Sequence, residues 1–339
     1  MVSPIAFSKG KFTQRECRRL QMRLEGSSGE QFNLIFDYIS GNFAEYSQDQ
    51  FGNYLCQKLY EMCSIYQKSK LLLQIESDIF AICDGIYGTR VMQKVIILSN
   101  DLTLKKYLAK VIQPNAVRMS MSQNACHVIH KCLVSWEREE VEFLFECIKD
   151  NCREICINRW GCCLYQRCMD YMNHHNKLSL ARSVIGNIFD LIQDPYGNYA
   201  IQYVLDLEDS FLINFIIDKI LKERQSREIC EFCCHKFSSN VIEKCIRLSN
   251  RHQRSMLITI ITENVDKLIE DPFGNYVLQT SLDFAEESQK DILFHLIDQK
   301  MHLIENMPHG KKLYSKIHRE IRNDCSSLMC LRSLGKLEL

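Results

Sequence analysis

From residue 51 onward one arrangement of apolar and polar positions keeps returning: FGNYLCQKLY at 51, YGTRVMQKVI at 87, NACHVIHKCL at 124, WGCCLYQRCM at 160, YGNYAIQYVL at 196, FSSNVIEKCI at 237 and FGNYVLQTSL at 273. Take the residue after the small one as position i, giving Asn53, Thr89, Cys126, Cys162, Asn198, Ser239 and Asn275. Apolar residues then recur at i+2, i+3, i+6 and i+7, as in Val91, Met92, Val95 and Ile96, or Val241, Ile242, Cys245 and Ile246. That spacing follows the 3.6-residue period of a helix rather than strand alternation, so each copy is predicted to be an amphipathic helix. Position i−1 is always small (Gly52, Gly88, Ala125, Gly161, Gly197, Ser238, Gly274), which permits close backbone approach. Asp194-Pro195 and Asp271-Pro272 supply an N-cap and a proline at the first turn. A second amphipathic stretch precedes each copy, such as LLLQIESDIFAI and FLINFIIDKIL, so the unit holds two or more helices.

The polar residues at i+4 are Gln57, Gln93, His130, Gln166, Gln202, Glu243 and Gln279, which stand 36, 37, 36, 36, 41 and 36 residues apart. One period earlier, ECRRLQMRLE places Gln21 as an eighth, weaker copy, and one period later GKKLYSKIHRE at 310 is a degenerate ninth unit. A 36-residue helical period is the signature of an α-solenoid, whose terminal units are atypical because they cap the stack. The fold class is therefore all-α.

Composition agrees with a chain that folds throughout: 339 residues, 46% hydrophobic, with 13 Gly and 5 Pro. The opening MVSPIAFSKGKFTQRECRRL has no apolar signal-peptide core, and no stretch approaches about 18 uncharged apolar residues, so a soluble intracellular protein is expected. The 18 cysteines are scattered among aliphatics at helical spacings and read as reduced thiols in the core. Lys plus Arg equals Asp plus Glu at 42 each, so any affinity for nucleic acid must come from a local basic stripe or from base contacts.

On a helix i and i+4 lie about 40° apart and i+1 about 100° from i, so the three form one patch beside the apolar stripe. Stacked units line these patches in a row. Their contents, written i, i+1, i+4, are Cys17, Arg18, Gln21; Asn53, Tyr54, Gln57; Thr89, Arg90, Gln93; Cys126, His127, His130; Cys162, Cys163, Gln166; Asn198, Tyr199, Gln202; Ser239, Asn240, Glu243; and Asn275, Tyr276, Gln279. Most i+1 residues are planar and most i+4 residues are amides. Unstacked RNA bases are read by stacking on such planes and by hydrogen bonds to their edges. Glutamine offers donor and acceptor together, whereas an ionised glutamate only accepts and suits guanine's paired N–H donors.

These triplets at this period resemble the recognition motifs of the Pumilio (PUF) family over roughly residues 10 to 325. The resemblance implies a right-handed, crescent-shaped solenoid of eight armadillo-like repeats with degenerate caps. Residues 1–339 would form one Pumilio-homology domain: cap and first repeat over about 1–40, repeats 2–8 over about 41–290, and a C-terminal cap over about 291–339. It implies a code in which Asn with Gln reads U, Cys or Ser with Gln reads A, and Ser with Glu reads G, the RNA running antiparallel. From Gln279 back to Gln21 the units then spell 5′-UGUANAUA-3′. Thr89 replaces the usual Cys or Ser, Cys163 is a poor stacking surface, and Cys126 with His130 matches no familiar pair. The implied partner is single-stranded RNA, an mRNA 3′ untranslated element, bound by a cytoplasmic monomer that lowers translation or mRNA stability through repressor or deadenylation proteins on the convex face. No cofactor and no membrane is implied.

Lys58, Lys94, Lys131, Arg167 and Lys244, each directly after the i+4 residue, read equally well as a phosphate-facing stripe or as acid-paired surface. The CxxC at Cys230 and Cys233, followed by Cys234 and His235, lacks a second ligand pair and reads as core rather than zinc site. His174 and His175, in YMNHHNK, read as an inter-helix loop. No Walker loop, GxSxG, HExxH or paired-carboxylate constellation supports an enzyme. The competing readings are an armadillo or HEAT protein-binding scaffold and a Pumilio-like ribosome-biogenesis factor.

Overall fold

The computed structural model describes residues 13–27 and 29–319; the parts of the expected caps at 1–12 and 320–339 lie outside the described residues. Every regular element among the described residues is a helix. The chain divides into two compact units, one ending at Leu180 and the other beginning at Ala181.

Each repeat brings one triplet-bearing helix. In the first unit these are α1 (Gln14–Gly26), α2 (Gly52–Met62), α3 (Gly88–Leu98), α4 (Cys126–Ser135) and α5 (Arg159–Tyr171), each packed on the next. In the second they are α6 (Gly197–Asp206), α7 (Ser238–Leu248) and α8 (Gly274–Phe284), again packed in sequence. A short helix precedes most of them (Ile79–Asp84 before α3, Cys152–Cys156 before α5) and a longer one follows (Ile65–Ile75 after α2, Arg251–Glu263 after α7). This successive stacking is an α-solenoid. The expected ninth unit forms a helix over 311–319 that buries Leu313 and Ile317.

The apolar stripe forms the core as its period predicted. Leu55, Cys56, Leu59 and Tyr60 of α2 are fully buried, as are the equivalent four residues of α3 and of α7. In α1 the i+2 and i+6 positions are Arg19 and Arg23, and the helix buries only Cys17, Leu20 and Leu24. Two large buried side chains bond their polar atoms across repeats: Tyr60 Oη lies 2.7 Å from Ser99 Oγ in the next repeat, and Trp136 Nε1 donates to the Ile96 carbonyl at 3.3 Å.

The close approach that small residues allow is real. A Cβ on Gly88 would stand 2.2 Å from the Ile82 carbonyl oxygen, and one on Gly161 2.2 Å from that of Ile155. At the same register Ser238 donates its hydroxyl to the Phe232 carbonyl at 2.8 Å, so a serine serves where it can bond the oxygen that glycine admits.

The helix starts differ from expectation in detail. The capping position is i−4, where Asp49, Asn158, Asp194 and Asp271 each accept from two backbone N–H groups. Pro195 and Pro272 lie in the turn between cap and helix, not in the first helical turn, because α6 and α8 begin two residues later. His174 and His175 do not form a loop. They open the helix His174–Gly186, because Asn173 Oδ1 accepts from the Asn176 N–H at 2.7 Å and so caps it.

All thiols among the described residues are free and nearly all are buried. Burial pushes the Cys168 and Cys245 thiols up to about 12, which keeps them protonated and inert as packing groups.

Replacing Gly161 by Val should lower stability by about 1–3 kcal/mol, because the Ile155 carbonyl must retreat from the new side chain. Gly26→Ala, where a Cβ meets nothing within 4 Å, should stay near neutral. Urea unfolding midpoints of the two variants give the comparison.

Candidate nucleic-acid interface

The eight triplets share one graded geometry. Position i is buried in every helix: Cys17, Asn53, Thr89, Cys126, Cys162, Asn198, Ser239 and Asn275. Position i+1 is exposed in every helix: Arg18, Tyr54, Arg90, His127, Cys163, Tyr199, Asn240 and Tyr276. Position i+4 is half-buried throughout: Gln21, Gln57, Gln93, His130, Gln166, Gln202, Glu243 and Gln279. The patch beside the apolar stripe is thus a step rather than a flat surface. The reason is angular: i lies toward the stripe that packs on the neighbouring helix, and i+1 is turned about 100° away from it.

In the Asn units position i is fixed from below. Asn53 Nδ2 donates to the Asp49 and Gln50 carbonyls at 2.9 Å each, and Asn198 and Asn275 repeat the arrangement. Its Oδ1 then accepts from the glutamine one turn on, at 3.2 Å for Gln57, 2.8 Å for Gln202 and 3.0 Å for Gln279. Thr89 Oγ1 accepts from Gln93 at 3.3 Å, and Cys162 Sγ from Gln166 at a weak 3.8 Å. The amide at i+4 is therefore oriented before any base arrives. Beside it the aromatic rings stand free, with Tyr54 52%, Tyr199 54% and Tyr276 41% exposed. Between Arg18 and Tyr54 lies a cleft of about 420 Å³, also lined by Gln21, Phe51 and Tyr87.

Two units depart from this scheme. Glu243 has partners that sequence reasoning missed: Thr280 donates to its Oε2 at 2.8 Å from the next repeat, and Arg247 Nη2 lies 3.1 Å from the same oxygen. Asn240 turns back on its own helix, its Nδ2 donating to the Lys236 carbonyl at 3.2 Å. His130 packs edge-on to Tyr171 with ring centroids 5.9 Å apart. Burial holds its pKa below the ordinary imidazole value, and Arg167, Lys131 and His127 push the same way.

The cations after i+4 do not form one free stripe. Lys58 pairs with Glu25 at 3.1 Å, Lys94 with Glu61 at 3.8 Å and Lys244 with Asp206 at 2.6 Å, so the acid-paired reading holds for these three. Each acid stands at i+8 of the preceding repeat, a regularity present in the sequence that the triplet reading passed over. Cys230 and Cys233 are buried, and no cluster of three metal-binding side chains occurs among the described residues. A thiol hydrogen bond from Cys234 lowers the Cys230 pKa. No helix among the described residues is long and apolar enough to cross a membrane.

The sequence profile of the "Pumilio-family RNA binding repeat" matches residues 42–76, 86–112, 115–149, 151–185, 187–221, 228–262 and 264–297. The chain belongs to the Pumilio family. The profile does not cover the repeat of Cys17 and Gln21, although α1 repeats the same graded burial. A Pumilio domain-containing protein of Schizosaccharomyces pombe is 33% identical over 308 residues, covering 90% of this chain and 44% of the relative. Pumilio homolog 12 of Arabidopsis thaliana is 30% identical over 330 residues, covering 92% and 53%. The chain thus spans about half the length of these curated relatives. Among solved structures, the Puf4 RNA-binding domain bound to an HO endonuclease 3′ UTR sequence superposes with a TM-score of 0.75 at 30% identity, covering 90% of this chain and 96% of that one. The yeast Puf5p RNA-binding domain bound to AAT2 RNA gives 0.79 at 28% identity, covering 91% and 95%. Membership in a family of RNA-binding Pumilio repeats, rather than any missing motif, sets this chain apart from enzymes.

The depressed His130 pKa makes a solution prediction. Its imidazole should titrate below the ordinary range when followed by NMR. Because the unfolded chain then binds the extra proton first, this group should reduce folding stability as pH falls through the ordinary imidazole range. His130→Gln should flatten that part of the stability profile.

Proposed function

We propose that this Pumilio chain is a sequence-specific single-stranded RNA-binding protein that reads mRNA 3′ untranslated elements of the type 5′-UGUANAUA-3′, one base per repeat. The observation that carries the reading is the eightfold recurrence of one graded burial, with i buried, i+1 exposed and i+4 half-buried, and in five of the repeats the i residue also bonds the i+4 side chain. Packing alone asks for none of this at i+4. A base would slide between successive i+1 side chains and present its edge to i+4, with i setting which atoms are offered. The i residues of the eight repeats (Cys17, Asn53, Thr89, Cys126, Cys162, Asn198, Ser239, Asn275) act at the base edge with their i+4 partners. The Puf4 and Puf5p domains, whose structures hold an HO endonuclease 3′ UTR recognition sequence and AAT2 RNA, support the same ligand class here. In this reading residues 1–339 act as one Pumilio-homology domain, a cytoplasmic monomer whose effect on translation or mRNA stability comes from recruited repressor or deadenylation proteins.

Selection from a random RNA pool tests the target directly, and enrichment of 5′-UGUA with a downstream AUA is expected. Crosslinking that recovers mainly ribosomal RNA would favour the ribosome-biogenesis reading instead. Within the element, randomising the fifth base, opposite Cys126 and His130, should weaken binding less than randomising the second. A neutral histidine donates or accepts according to tautomer and so discriminates poorly.

The second base provides the sharper test. Glu243 offers guanine's N1–H and N2–H₂ an acceptor, but meets the carbonyl oxygens of uracil with repulsion. The triple variant Ser239→Asn, Asn240→Tyr, Glu243→Gln should move the preference from G to U, with each wrong base costing about 1–3 kcal/mol by analogy with other base-edge contacts. Arg247 and Thr280 remain in place to hold the new amide. A folded triple variant that still prefers G would remove Glu243 as the reader.

A further inference from the structure

Inter-repeat ion pairs recur at one register of the repeat, and at two places in that register a cation stands without its acid. Position i+5 of one repeat faces position i+8 of the repeat before it. The pair is closed at Lys58 with Glu25, Lys94 with Glu61 and Lys244 with Asp206, and again at Lys316 with Asp283. Between α7 and α8 its polarity is reversed, with Arg247 Nη2 donating to Thr280 Oγ1 at 3.3 Å. At two junctions the cation at i+5 has no acid opposite it. Lys131 stands at the register of Ile97, and Arg167 at that of Val134, both apolar and 42% and 44% exposed. No ion pair joins Lys131 or Arg167 to an acid among the described residues, and both instead bear on His130 as repelling positive charges.

We propose that Lys131 and Arg167, and not the whole i+5 column, form the phosphate anchor of this protein, gripping the sugar–phosphate backbone of a single-stranded RNA at the fourth and fifth repeats. The inference rests on the base-reading face proposed above. A lysine already neutralised by a carboxylate brings no net positive charge to displace the counterions condensed on the strand, and a phosphate placed there meets the acid as well. An unpaired cation neutralises a phosphate, releases the counterions condensed on the strand there and strengthens affinity whatever the base sequence. The anchor also falls where base reading is weakest. The repeat of Cys126 and His130 has no familiar code, and Cys163 offers no ring to stack on. At this point the chain holds the strand by charge.

The test is the salt dependence of binding to a 5′-UGUANAUA-3′ oligonucleotide. Removing two phosphate contacts to a single strand should reduce the slope of log K against log salt by about 1.4, so that between 50 and 200 mM salt the Lys131→Met, Arg167→Met variant loses about 7-fold less affinity than the wild type. Lys58→Met, Lys94→Met, Lys244→Met should leave the slope unchanged. Ile97→Glu with Val134→Glu, which places an acid opposite each of the two cations on an exposed surface, should reproduce the reduced slope with both cations still present. An unchanged slope in the Met double variant, or an equal drop in the Lys58, Lys94 and Lys244 variant, overturns the anchor. Wild-type binding without base preference would instead overturn the reading beneath it, while the slopes on that same RNA still decide the anchor.

Discussion

Everything in this chain depends on the close approach between each triplet-bearing helix and the short helix before it. The carbonyl of Ile82 or Ile155 occupies the space that a Cβ at Gly88 or Gly161 would need. With that contact made, the stripe at i+2, i+3, i+6 and i+7 is driven into the stack and i is drawn beneath the surface with it. Burial of a polar i residue is tolerable when it is bonded, and the i−4 and i−3 carbonyls supply the partners of the three asparagines, the Asn124 carbonyl that of Thr89. The packing rule and the polar face are thus one arrangement seen from two sides.

From this follows the division of labour along the face. Asn53, Asn198 and Asn275 are held by their own helix starts and in turn hold Gln57, Gln202 and Gln279. Fixing an amide before binding removes ordering cost at the moment of recognition. Glu243 is held differently, by a hydroxyl and a guanidinium from i+5 of the next repeat and i+8 of its own. The same two register positions that form the inter-repeat ion pairs elsewhere therefore orient the single carboxylate among the i+4 residues.

Much of this was legible without coordinates. The 36-residue period, the helical spacing, the small i−1 residue and the triplets were all present in the repeated decapeptides, because each repeat meets the same neighbours and so repeats the same demands. Six of the seven decapeptides carry glycine or alanine at i−1, and the FSSNVIEKCI copy, with Ser238 there, keeps the register despite a 41-residue step. The polar run around His174 and His175 resembles a loop in sequence, and only the Asn173 cap shows that it opens a helix.

The sequence by itself determined the repeat, its helical nature, its core and the identity of the i, i+1 and i+4 residues, since all of these follow from short-range periodicity. Only the tertiary structure decided how deep each of the three lies, which cations are neutralised and what holds Glu243. Those depend on contacts between residues about one repeat apart, such as Lys94 with Glu61 or Thr280 with Glu243, which a local pattern does not contain. Distance along the chain hides them, and stacking of one repeat on the next brings them within reach of an ion pair or a hydrogen bond.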